Sequence, residues 1–165
     1  MENEHENLAE KLVKIEGKIP VADAFVLEEV GKIMHWYYKS AGKNADINAL
    51  LGARDRLSTL SYNVAHITGD FKDDYNSKYY IKKIEHNVAK QAYMSHGANG
   101  TEAEVDAIAK NKDNARAAAD AESASFKIDL ILKQINQVLQ AMQQRLSFLI
   151  KEHERAHRGG PSTQA

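Results

Sequence analysis

From Thr101 to Arg158 the chain contains neither glycine nor proline. Nothing else in the sequence constrains the fold as much. A helix interior penalises glycine by about 1 kcal/mol and proline by about 3 kcal/mol relative to alanine, so a run without either has little to stop it. As one helix it would extend roughly 85 Å at ~1.5 Å per residue, with "KNKDN" at Lys110 to Asn114 as a plausible bend, so one helix or two remain open. In its second half Ile128, Leu132, Ile135, Leu139, Met142, Leu146 and Leu149 recur in unbroken steps of four and three. That is the spacing of a coiled-coil seam. Ile131, Val138 and Phe148 add a second apolar flank, which implies more than one neighbour. Upstream, "ARAAADAESA" permits close backbone approach or a tightly packed second helix.

Such a seam can be spent inside a bundle or between subunits. The chain carries more apolar helix surface than one small bundle needs, so a homo-oligomer held by this seam is the expectation. A mixture of Ile, Leu and Met does not fix the number of strands.

The rest of the chain also reads as helix. "HENLAEKLVKIEGK" places Leu8, Leu12 and Ile15 on one stripe that Gly17 ends, and Pro20 marks a new start. The next helix carries Phe25, Val26, Val30, Ile33 and Met34 and closes near Gly42. Asn44 or Asp46 can cap a third, with Leu50, Leu51, Leu57, Leu60, Val64 and Ile67 at helical spacing and Gly69 as an interruption. A further helix runs from about Asp73 to Ser95 and ends in the turn "SHGANG". Thr101 with Glu104 fits the capping box that opens the long run.

The expected class is all-α: a helical bundle with a long C-terminal coiled-coil-like helix. Residues 1–43 form a helical arm or extension, 44–158 the core and oligomerisation region, and 159–165 a disordered tail. With 22 basic and 23 acidic residues the net charge is -1, so a nucleic-acid site must be a local patch. The absence of cysteine excludes disulfides and thiolate metal sites. "MENEHENLAEKLVK" is charged where a signal peptide needs an apolar core, and no apolar run approaches membrane length. A cytoplasmic protein is expected, in the host cytoplasm if the gene is a phage's.

One motif invites an enzymatic reading. His153-Glu154-Arg155-Ala156-His157 is a literal H-E-x-x-H, the helical spacing by which many zinc peptidases hold their metal. A catalytic zinc needs a third protein ligand, which in those families comes from downstream. Here the downstream "RGGPSTQA" has no His, Glu, Asp or Cys, and His5, His35, His66, His86 and His96 are scattered singly. Two histidines at the basic end of a long helix, where cations suit the helix dipole, are the better reading. Neither catalysis, a metal nor a cofactor is expected.

The helix "DDYNSKYYIKKIEHNVAKQAYMS" divides into two sides at ~100° per residue. Tyr80, Ile81, Ile84, Val88 and Ala92 share one and are the expected core. Tyr75, Tyr79, Lys82, Lys83, His86, Lys90 and Tyr93 cluster on the other. Lysines that neutralise phosphates beside tyrosines on which bases stack are what single-strand binding requires. Half-buried packing tyrosines and solvated lysines would give the same pattern.

The segment from "AKQAYMSHGANGTEAEVDAIAKNK" to "LSFLIKEHERA" resembles the phage recombination mediator family that includes UvsY. The shared pattern is a basic helix ending in an Ala-x-x-x-aromatic turn with glycine, a short acidic capped helix, an alanine-rich stretch and a long leucine-repeat helix ending in Arg and Lys. It covers roughly the C-terminal half. In that family small helical subunits assemble into rings, bind single-stranded DNA and help a recombinase displace a single-strand-binding protein. Its basic residues correspond here to Lys90, with Lys82 and Lys83 upstream, while Val88 stands where another basic residue would be expected. Residues up to about Lys43 have no counterpart and suit a partner-binding arm or a regulatory helix.

The resemblance implies a non-enzymatic, oligomeric mediator that binds single-stranded DNA through Lys82, Lys83 and Lys90, and the Tyr/Lys face read from the residues adds Tyr79, Tyr93 and His86, with Lys151, Arg155 and Arg158 as further candidate cations. A structural or regulatory helical protein-protein interaction factor without nucleic-acid binding is the alternative.

Overall fold

The structure is a computed structural model that describes residues 21–41 and 46–158. Among them are four α-helices and one π-helical turn, and no strand. α1 spans Val21–Trp36 and runs into the π-helical turn Tyr37–Ala41. α2 spans Ile47–Ser95, α3 Gly100–Lys110 and α4 Lys112–Arg158. The expected helix around Leu8, Leu12 and Ile15 lies outside the described residues, as does Asn44. Asp46 takes the cap position of α2, accepting from the Asn48 N–H at 3.4 Å. No helix among the described residues is long and apolar enough to cross a membrane.

Two compact units divide the chain, and the division falls inside α2 and inside α4. The first takes residues up to Ala65 and from Ile131 onward. Its core draws Leu27, Val30, Ile33 and Met34 from α1, Leu50, Leu57 and Val64 from α2, and Ile131, Ile135, Val138, Met142 and Leu146 from α4. Each such side chain contributes roughly 1.5–3 kcal/mol by leaving water. Polar links border this core: Arg56 pairs with Glu29, and the Arg54 guanidinium donates to Gln143 Oε1 at 2.6 Å. Phe25 and Leu51, expected inside, are exposed, and Leu27 takes an inward position instead.

Part of the C-terminal seam is covered within one copy. Ile128, Ile135, Met142 and Leu146 are buried within a single copy, so the stripe expected between copies is in large part internal. Leu132, Leu139 and Leu149 are only half-buried, while Ile131 and Val138 are buried. A helix with two neighbours covers a wider arc than a two-helix seam. Here the arc leans toward Ile131 and Val138 and leaves Leu132 and Leu139 at its border.

The second unit, His66–Leu130, buries mostly small side chains: Ala89 from α2, Ala103 and Ala107 from α3, and Ala118, Ala121 and Ala124 from α4, with Ile67 and Ile128 as its large buried residues and Thr68 and Ser125 buried beside them. Gly69 does not interrupt α2, because glycine weakens a helix interior without reversing its direction. α2 ends at Ser95, and two residues on Gly97 has a φ of +94°, the left-handed conformation that favours glycine. The Ala98 N–H donates to Tyr93 O and the Gly97 N–H to Met94 O, the paired bonds of a Schellman stop. α3 is capped by Asn99 rather than Thr101. The Asn99 side chain accepts from the Thr101 and Glu102 N–H groups, and Glu102 accepts from the Asn99 N–H. The bend expected in "KNKDN" falls on Asn111, at φ -94° and ψ 11°.

Candidate nucleic-acid interface

In the second unit much of α2 is turned the opposite way from the sequence expectation, although Tyr79 and Lys83 stay exposed. Tyr80, Ile81, Ile84, Val88 and Ala92, the expected core stripe, are exposed. Tyr75, Lys82, His86, Lys90 and Tyr93, expected outside, are half-buried, with Ala89 buried among them. The side turned inward is the one whose small residue admits the alanine faces of the unit. Long Tyr and Lys side chains can border such a contact, covering apolar surface with their stems while their polar ends reach water.

This orientation gathers part of the expected site into a cleft. Tyr79, Lys82, Lys83 and His86 line an open hollow of about 450 Å³ whose other wall is Ile108, Asn111 and Ala115. The Tyr79 ring lies 6.0 Å from both the Tyr75 and the Tyr80 rings, so the cleft opens beside a run of aromatic side chains. Lys82 and Lys83 make no ion pair among the described residues. Lys90 and Tyr93 lie further along α2 and do not line this cleft.

Two residues fix the cleft's geometry. Asn111 is buried at the bend between α3 and α4, and its side-chain N–H donates to the Lys82 main-chain oxygen at 2.6 Å. Its own side-chain oxygen accepts from Asn114 at 2.9 Å. Around the bend the helical ladder survives, with the Asn111 N–H donating to Ala107 O and the Ala115 N–H to Asn111 O. Glu104 is the second. Its carboxylate reaches Lys90 Nζ at 2.7 Å and His86 Nε2 at 3.1 Å. The hydrogen bond from Lys90, then the charges of Lys90 and His86, hold the Glu104 carboxyl below its usual range. One α3 carboxylate therefore engages two of the six expected DNA-binding side chains.

Sequence reasoning missed Glu104 in this role, along with Ile108, Asn111 and Ala115. Glu104 had been assigned to a cap. An asparagine inside a run without helix breakers was the available signal for Asn111.

At the end of α4, His153 and His157 face each other with Nε2 atoms 3.1 Å apart, both exposed. Among the described residues no group of three or more His, Cys, Asp or Glu side chains is placed to hold a metal ion. No family model matches the chain, nor does any curated protein or solved structure.

Proposed function

We propose that the chain is a non-enzymatic, single-stranded-DNA-binding helical protein of the recombination-mediator kind, acting in the cytoplasm as a homo-oligomer beside a recombinase and a single-strand-binding protein. The observation that carries this reading is the convergence of Tyr79, Lys82, Lys83 and His86 on one open cleft. Cations supply phosphate attraction and the tyrosine a stacking face, and neither requires base-specific readout. A net charge of -1 leaves the attraction local. In an oligomer the patch would repeat and build a stronger field than one subunit holds.

Affinity for a labelled single strand across a salt series tests it. Lys82→Ala with Lys83→Ala should weaken binding and flatten the salt slope by about 1.4, because each lost phosphate contact on a single strand removes roughly 0.7 of a released counterion. Tyr79→Ala should weaken binding by ~1–3 kcal/mol at nearly constant slope. Undetectable wild-type binding at low salt sinks the proposal.

One feature favours the alternative, a helical protein-interaction factor. The exposed stripe Tyr80, Ile81, Ile84 and Val88 is an apolar surface suited to another helix. Under that reading the cleft lysines can be removed without loss of activity.

A further inference from the structure

We infer that the cleft takes one unstacked nucleotide, base inward and phosphate at Lys82 and Lys83, and accepts every base. This rests on the single-strand reading above and adds the ligand's mode of entry. Size is the first argument: about 450 Å³ lies within the roughly 300–1,000 Å³ typical of small-molecule sites. Chemistry is the second. Ile108 and Ala115 give an apolar wall opposite the helix that carries Tyr79, so a planar ring has apolar and aromatic surface to lie against. The two lysines meanwhile leave positive charge beside the hollow.

Asn111 could read a base edge, but it is 5% exposed and its amide is engaged at both ends, by the Lys82 carbonyl and by Asn114. His86 is held by Glu104. His86 Nε2 and both ends of the Asn111 side chain are engaged by the fold, which weakens base discrimination and leaves recognition chiefly to stacking and charge. A base in a duplex must first be unpaired and unstacked, at a few kcal/mol, so entry favours single strands.

The test uses the full-length chain and single strands of dT, dA and dC carrying one 2-aminopurine, whose fluorescence responds to unstacking. Wild type should bind the three strands with affinities within a few-fold of one another, bind the matching duplex more weakly, and change the 2-aminopurine signal. Ala115→Leu fills the cleft and removes no charge. It should weaken single-strand binding by roughly 5- to 160-fold, the factor equivalent to a stacking contact, abolish the fluorescence change and leave the salt slope alone. If Ala115→Leu lowers the melting temperature, Ile108→Ala decides, since Ile108 is 58% exposed and its loss does not crowd the helices. Wild-type affinity and fluorescence response in both variants, with binding still lost in the double lysine variant, would overturn base insertion while the single-strand reading stands. A wild type that binds no single strand at low salt removes both.

Discussion

Asn111 is a buried polar side chain in a unit whose core is otherwise mostly alanine. Its amide ties the α3–α4 bend to the Lys82 carbonyl, which fixes where α2 sits along the bend. Asn111→Ala should cost about 1–3 kcal/mol, read as a lower urea midpoint, because a buried hydrogen-bonding site loses its partner. An unchanged midpoint would mean that water replaces the amide freely. Glu104 makes a different prediction. Its carboxyl is held below the ordinary range, so its contribution is present at neutral pH and disappears as pH falls through the ordinary carboxylate range to the lowered value. Glu104→Gln should therefore lose that part of the acid dependence of melting while the remaining carboxylates keep theirs. A melting profile with the wild-type acid slope would remove Glu104 from this role. The cap shows why such residues are hard to read. Asn99-x-x-Glu102 and Thr101-x-x-Glu104 both satisfy the capping-box pattern, and only the fold decides which glutamate turns back to the helix start.

At the scale of elements, helix class was legible and helix ends were not. Leu50, Leu57 and Val64 are buried at the seven-residue spacing that had marked them, because periodicity reports the covered face directly. Gly69 was misread because a propensity cost of about 1 kcal/mol is not a stop when the residues on both sides favour helix. A methyl group added at Gly69 meets nothing within 4 Å, and its φ is not in the left-handed region. Gly69→Ala should thus stabilise the chain by about 0.4–1 kcal/mol, chiefly by restricting the unfolded state. A lower urea midpoint would contradict that. The border of the α4 arc can be measured in the same way. Ile135, fully buried, should lose about 2–5 kcal/mol on replacement by alanine, whereas half-buried Leu139 should lose less. Equal losses would restore Leu139 to the centre of the buried face.

For the whole molecule, the decisive feature is that α2 has two amphipathic sides in the second unit. Sequence periodicity finds both stripes, but it cannot say which is covered by the chain's own helices and which by something else. Here the alanine-lined contact claims the Tyr/Lys side, and Tyr80, Ile81, Ile84 and Val88 are left in solvent. The proposed homo-oligomer therefore has a surface to use that is not the C-terminal seam. Lys83 and Glu85 border the stripe on its two sides. Ile84 is 59% exposed, so Ile84→Glu should leave the melting temperature of the isolated chain nearly unchanged, within the ±0.5 kcal/mol typical of surface substitutions. In the oligomer the same glutamate would be buried without a partner, which is strongly unfavourable, and the native mass should fall. Met142→Asp should instead unfold the first unit, since Met142 is fully buried within one copy. Native mass by light scattering beside a thermal melt separates the cases: an Ile84→Glu variant with both wild-type mass and wild-type melting would show that the exposed stripe does not hold copies together.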